Sequence, residues 1–263
     1  MPVALIAFVI FIFGLIAGSF MNVCIYRIPK KESIVTPPSH CPSCGKVIPW
    51  FDNIPLVSFI VLMGKCRFCK TKISLRYPLV ELISGAVAAV LFLYFGFTGK
   101  FFIMWYLSAA LIVISFIDIK IQEIPDEITL SGIILGLLLA VLYPAFLGKT
   151  ARLPALLDSF LGVIAGGGSI YILGFLGEFV FKKEAMGGGD VKLLAMIGAF
   201  LGWKLAIFTF FLAPFFGAVV GITLKIKEGR EIIPYGPYLS LAALVAMLWG
   251  NEIIDALFNI YRI

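Results

Sequence analysis

Long apolar runs joined by short polar connectors make up most of the chain. Crossing the hydrocarbon core of a bilayer takes about 20 predominantly apolar residues. The runs predict helices at about 3–26, 78–97, 101–118, 128–147, 155–181, 191–203, 205–224 and 235–258. The run at 191–203 is short and contains Gly198 and Gly202, which predict a tilted or half-buried helix, so the pattern allows seven or eight crossings. The first run, Val3 to Ile25, has no basic residue ahead of it and is longer than the 7–15-residue apolar stretch of a signal peptide, so it is expected to be a retained span. Residues 27–77 form the one long polar interruption.

Composition agrees with the pattern. The 263 residues are 61% hydrophobic and 14% charged, where soluble domains carry about 45–50% and about 25%. There are too few charges to cover a soluble surface. With eight spans, sixteen lysines and arginines fall on the side of the 27–77 insert, nine of them within it. The seven others are Lys120, Lys182, Lys183, Lys192, Lys225, Lys227 and Arg230, and the opposite side holds five, Lys100, Lys149, Arg152, Lys204 and Arg262. Basic residues collect in cytoplasmic loops, which predicts a cytoplasmic insert with both termini outside. The net charge of +6 is then topological, and the expected partner is the lipid bilayer, with no nucleic acid.

The insert holds four of the five cysteines, Cys41, Cys44, Cys66 and Cys69, in the spacing C-x2-C-x21-C-x2-C. Each C-x-x-C turn aims two thiolates at one point, and two turns close a tetrahedral zinc site. A polar segment of this length builds little core, so bound zinc would supply its folding free energy. A redox dithiol is the alternative. A weak repeat supports paired knuckles, because Cys44 and Cys69 are each followed four residues later by an isoleucine, Ile48 and Ile73. His40 is expected to be a bystander and Cys24 a packing residue. The predicted fold is therefore an all-α polytopic membrane protein of about eight transmembrane helices with a small zinc-ribbon-like cytoplasmic insert. Its parts are a first helix (1–26), the zinc insert (27–77) and a membrane-embedded region (78–263).

Ionisable groups in spans are costly and are functional candidates. Asp118 ends the third predicted span and Asp190 opens the sixth, both at the cytoplasmic edge. Two close carboxylates cannot both ionise comfortably; one keeps a proton, and the pair then serves as general base and general acid on one water. Gly187, Gly188 and Gly189 precede Asp190 and would allow positive φ and close approach of a substrate strand. A flexible loop with Asp190 as a helix N-cap is the bland alternative. Asp126 follows Pro125 and is expected to cap the next helix. Asp158 falls on the other membrane side, while Glu81 and Glu178 fit either buried structural groups or a second site.

Together these residues resemble the type IV prepilin peptidases, the bifunctional leader peptidase/N-methyltransferases of the GxGD type. The resemblance runs through Gly18-Ser19-Phe20-Met21-Asn22-Val23 with Arg27-Ile28-Pro29, the double C-x-x-C insert with Asn53-Ile54-Pro55, Ser74-Leu75-Arg76-Tyr77-Pro78 and Glu81, the segment Asp118 to Asp126, and Gly187 to Asp190. It implies an enzyme of the bacterial inner membrane that cuts the basic leader from prepilins or pseudopilins on the cytoplasmic side, in pilus assembly or type II secretion. It also implies methylation of the new N-terminus with S-adenosylmethionine, and it makes Asp118 and Asp190 the catalytic pair. The sequence carries no G-x-G-x-x-G cofactor loop after a strand, and Gly166-Gly167-Gly168 is expected to serve helix packing. A proton-relay transporter would spread its carboxylates through the membrane depth, and a zinc-loop scaffold would need neither aspartate.

Overall fold

The structure, a computed structural model, describes residues 2–181, 187–228 and 234–260, with side chains described outside 180–181, 220–228 and 259–260. Lys182, Lys183, Arg230 and Arg262 of the charge count lie outside the described residues, as do the side chains of Lys225 and Lys227. Among the described residues the chain is helical and has no strands, only two isolated bridges. Among the described residues six helices are long and apolar enough to cross a membrane. In hydrocarbon a helix satisfies its own backbone hydrogen bonds, which is why these runs take no other form. The chain divides into two units, Met1–Phe101 and Phe102–Ile263.

In the first unit α1 (Val3–Arg27) packs on α3 (Arg76–Phe95). Lipid chains are as apolar as leucine, so such pairs rely on close approach and polar pins. A Cβ at Gly18 would lie 2.6 Å from the Cα of Glu81. The Ser84 hydroxyl donates to the Gly14 carbonyl at 2.7 Å, and Asn22 Nδ2 donates to the Tyr77 carbonyl at 3.1 Å. Pro78 sits in the first turn of α3, where its missing N–H costs nothing. Between these helices the insert carries one short helix, α2 (Val57–Val61). Arg27 ties its start down by donating to the carbonyls of Ser33 at 2.8 Å and Pro37 at 2.7 Å.

The second unit is built from α4 (Gly99–Ile121), α5 (Asp126–Leu142), α6 (Arg152–Phe181), α7 (Gly188–Glu228) and α8 (Gly236–Ile260). The most apolar stretch of α7 is 72% buried against 22% for that of α6, which makes α7 the central helix. Gly162 meets the Gly198 carbonyl and Gly166 the Leu194 carbonyl, so α6 and α7 touch backbone to backbone. The Ser159 hydroxyl donates to the Ala199 carbonyl at 2.7 Å. Gly132 and Gly136 bring α5 equally close to Met196 and Ala199 of α7. Of the glycine triplet, Gly166 and Gly167 serve packing as expected, against Leu194 and Ala195, while Gly168 faces open space.

Three of the expected spans differ. The run at 128–147 starts earlier and ends at Leu142 after 17 residues, because Pro144 opens a 3-10 turn, Pro144–Leu147. The short sixth span and the seventh form one run, broken at Gly202, where φ is 79° and ψ 170°. Only glycine reaches that conformation cheaply. A side chain there would also lie 2.9 Å from Asp158 Oδ1, and Asp158 in turn pairs with Lys149 at 3.1 Å.

Candidate active site and metal centre

Asp118 lies in the last turn of α4, 5% exposed. The helix stops just beyond it, where Gln122 turns to φ 57° and donates its N–H to the Asp118 carbonyl at 2.9 Å. The Asp118 carboxylate accepts from the backbone N–H of Gly236 at 2.9 Å on Oδ2. Gly236 opens α8, so the N-terminal end of a 25-residue helix is aimed at this carboxylate. A Cβ on residue 236 would stand 2.8 Å from the same oxygen. Glycine is required there for space.

Asp190 falls in the first turn of α7, its N–H donating to the Gly187 carbonyl at 3.1 Å. It is not the N-cap that the bland alternative made it, because the helix already starts at Gly188. Nor do the three glycines use positive φ, which among the described glycines is confined to Gly45, Gly64, Gly96, Gly148 and Gly202. Gly189 instead provides close approach, since a Cβ on it would stand 2.9 Å from Ile124 Cβ. That contact seats the Asp190 segment on the segment that follows Asp118. The two carboxylates are near enough to interact electrostatically.

Tyr235 lies near enough to Asp190 to feel its charge. Burial, together with the Asp190 charge, pushes its phenol up to about 12, so it stays neutral in any working range. Tyr235 and Gly236 belong to Pro234-Tyr235-Gly236-Pro237, a turn signal that the sequence reading placed only as the entry to the last span. Nothing in the local pattern says that this turn folds back over carboxylates 45 and more residues upstream.

Asp126 does not cap α5. The N-cap is Pro125, with no side-chain cap, and both Asp126 oxygens accept from Lys192 Nζ at 2.7 Å. The lysine ammonium competes better for the carboxylate than the helix amides do. Lys192 is two residues after Asp190, so the pair ties the start of α5 to the start of α7. Glu178 is exposed. Glu81 is buried and accepts from the Leu56 N–H at 2.9 Å on Oε2.

The insert shows its repeat in atomic detail. The Cys41 N–H donates to the Lys46 carbonyl and the Gly45 N–H to that of Cys41, both at 2.9 Å; the Cys66 N–H donates to the Thr71 carbonyl at 2.9 Å and the Lys70 N–H to that of Cys66 at 3.0 Å. Gly45 and Lys70 take φ 68° and 60° at the same place in each turn. The four sulfurs of Cys41, Cys44, Cys66 and Cys69 lie within 4.8 Å of one another, and those of Cys41 and Cys69 are 3.8 Å apart. Tetrahedral Zn–S bonds of about 2.3 Å demand sulfur separations of ~3.8 Å, whereas a disulfide needs ~2.05 Å. The arrangement could therefore hold a metal ion. Hydrogen bonding with Thr71 lowers the Cys69 thiol, whereas burial and the neighbouring Cys41 and Cys69 sulfurs raise that of Cys44, so without a metal the cluster shares its protons unevenly. The exposed His40 ring lies 3.2 Å from the Pro38 carbonyl through Nδ1, outside the sulfur set, and Cys24 is buried in α1.

Residues 12–95 match the bacterial peptidase A24 N-terminal domain, and residues 105–222 match the type IV leader peptidase family. Among curated relatives, a prepilin leader peptidase/N-methyltransferase of Pseudomonas aeruginosa is 36% identical over 91% of this chain and 89% of its own length. A protein of the same description from Xanthomonas campestris is 35% identical over 92% of this chain and 91% of its own. One from Myxococcus xanthus is 40% identical over 86% of this chain, which spans only 65% of that longer relative. No solved structure matches the chain.

Proposed function

The chain belongs to the type IV leader peptidase family, and we propose that it removes the leader of prepilins or pseudopilins and N-methylates the exposed residue. The observation that carries the peptidase reading is the convergence of Asp118, Asp190 and Gly236 from α4, α7 and the start of α8. A metal-free hydrolysis of an amide needs one base and one acid on the same water. Asp118 suits the base, because the Gly236 amide already donates to one of its oxygens, as befits an ionised carboxylate. Its other oxygen takes a proton from water as that water attacks the scissile carbonyl. Asp190 donates its proton to the carbonyl oxygen. Collapse of the tetrahedral intermediate then returns a proton to the leaving amine.

The membrane placement follows from the six apolar helices, and the bacterial inner membrane with a cytoplasmic insert is the setting the basic loops favour. In this reading Cys41, Cys44, Cys66 and Cys69 hold structural zinc, which supplies folding free energy to the insert and leaves no open position for chemistry. S-adenosylmethionine would supply an electrophilic methyl group to the new amine.

The test is leader cleavage of a prepilin-like substrate in membranes by Asp118→Asn and Asp190→Asn variants. Each is expected to lose at least ~100-fold in rate. Cleavage at the wild-type rate by either variant would remove that aspartate from the mechanism.

A further inference from the structure

The short helix of the insert is turned inside out. The one polar residue of α2, Ser58, is 9% exposed. Its hydroxyl donates to the Phe51 carbonyl at 3.0 Å and accepts from the Ile54 N–H at 3.1 Å. Val57, Ile60 and Val61 stand at the i, i+3 and i+4 positions that share one helix face, and all three are exposed, Ile60 at 72%. Met63, just past the helix, is 82% exposed. A helix facing water has the opposite arrangement, with its apolar stripe inside and its polar residues out. The span α1 presents Phe13, Ile16 and Phe20 outward in the same way.

The depth of α2 follows from what holds its start. The Leu56 N–H donates to Glu81 Oε2 at 2.9 Å, and the Glu81 backbone lies against Gly18 of α1. Gly18 is nine residues before Arg27, where α1 ends, which is about 13 Å inside that end at 1.5 Å per residue. A helical side chain leans toward its own N-terminus, here the start of α3. Leu56 therefore lies between the level of Gly18 and the ends of the two spans. A groove of about 730 Å³ marks the same level, because Ile54, Pro55 and Val57 line it together with α1 residues from Ile12 to Val23. Those α1 residues belong to the apolar stretch of the span.

The charge of the insert fits the same surroundings. Nine lysines and arginines stand against two carboxylates, Glu32 and Asp52. Among the described residues only Lys30 and Arg67 have one of these alongside. Lys65, two residues after Met63, and Lys70 and Lys72 are exposed. Zinc on four thiolates would offset only part of the excess. Basic segments next to a span are drawn to anionic headgroups, and exposed tryptophans such as Trp50 favour the membrane–water boundary.

We propose that α2 is an interfacial anchor. Its Val57, Ile60 and Val61 face, with Met63, is immersed at the boundary of headgroups and acyl chains, and the lysines of the insert meet anionic phospholipid headgroups. Helices lying in the interface bury their apolar face by about 5–10 Å, a depth that the Leu56–Glu81 hydrogen bond sets here. The insert is thus held to the bilayer by α2 as well as by the ends of α1 and α3. Cys66 follows Met63 by three residues, so the sulfur cluster is kept close to the membrane surface.

The experiment uses the full-length enzyme in vesicles of phosphatidylethanolamine and phosphatidylglycerol. Ile60→Trp adds a fluorophore to the outer face of α2, read as the difference from wild type, whose four tryptophans are common to both. Met63→Trp gives a second, independent reading. Lipids brominated on their acyl chains should quench most of the added emission. Loss at either position supports the anchor, and retention at both would overturn it. In that case aqueous acrylamide tells what lies there instead: quenching means water, and protection means a protein surface, whether of this chain, a second copy or another partner. Replacing phosphatidylglycerol by phosphatidylcholine should weaken the lipid quenching. Equal quenching in the two lipids would overturn the assignment of the lysines to anionic headgroups.

Discussion

The backbone N–H of Gly236 donates to Oδ2 of Asp118 at 2.9 Å, across 118 residues of sequence. It orients one carboxylate of the pair and brings the N-terminal end of α8 to it. A methyl group at 236 would stand 2.8 Å from that oxygen, so either the carboxylate or the helix start must move. Gly236→Ala is expected to cut kcat for cleavage by ~10-fold or more, since misplacing a catalytic group by about 1 Å can cost ~100-fold. Alanine is the better helix former by about 1 kcal/mol, so thermal stability should not fall in proportion. A variant that cleaves at the wild-type rate would show that this amide does not position Asp118.

The Asp126–Lys192 pair bridges the two aspartate segments, but both side chains are well exposed, at 53% and 39%. Exposed pairs contribute about 0–1 kcal/mol. Asp126→Asn is therefore expected to shift the thermal midpoint only slightly and to leave cleavage within about threefold of wild type, because 0.6 kcal/mol is roughly a threefold effect. Cleavage assays beside a thermal-shift measurement decide it. Abolished activity in a folded variant would place Asp126, in preference to Asp118, in the catalytic pair.

Tyr235 ties stability to alkaline pH. An unfolded tyrosine ionises near 10, whereas Tyr235 is held up at about 12 by burial and by the Asp190 charge. Below pH 10 both states are neutral and the residue adds no pH dependence. Between about pH 10 and 12 only the unfolded chain ionises there, so folding weakens as pH rises. The Tyr235→Phe variant lacks this dependence. Its thermal midpoint should fall less steeply than that of wild type over that window, and identical slopes would contradict the buried placement of the phenol.

The cysteine cluster makes a metal prediction. Cys44→Ser removes one of four sulfurs that lie within 4.8 Å of one another. The purified variant should retain less than a stoichiometric equivalent of zinc by elemental analysis. The insert should become sensitive to protease, because metal binding and folding of such a segment are one equilibrium. Unchanged metal content would argue that the sulfurs are not the ligands.

Much of this architecture is legible in one dimension. The apolar runs specify helices because a backbone in hydrocarbon has few alternatives. The break near Gly202 was visible as glycines in a short span, and the two knuckles were visible as C-x-x-C turns with a faint repeat. These are local features, set by residues within a turn or two of one another. Asp118 and Asp190 stood out as candidates because carboxylates at span ends are costly, and the resemblance to the prepilin peptidases singled them out from the other span carboxylates.

Tertiary structure decided what those groups meet. The turn at Pro234–Pro237 reads as an ordinary helix entry until α8 brings Gly236 to Asp118 and Tyr235 within the field of Asp190. Asp126 has the sequence context of a cap, yet a lysine 66 positions away takes its carboxylate. Gly187 to Gly189 read as a flexible loop, but packing of Gly189 on Ile124 makes close approach the reason for a small residue. Glu81 had no readable role until its environment showed a buried carboxylate with neutral partners. Periodicity and local chemistry thus determined which segments are helices and which residues are candidates for chemistry. The pairing of those residues depends on contacts between distant segments, and it was decided by how closely the helices pack.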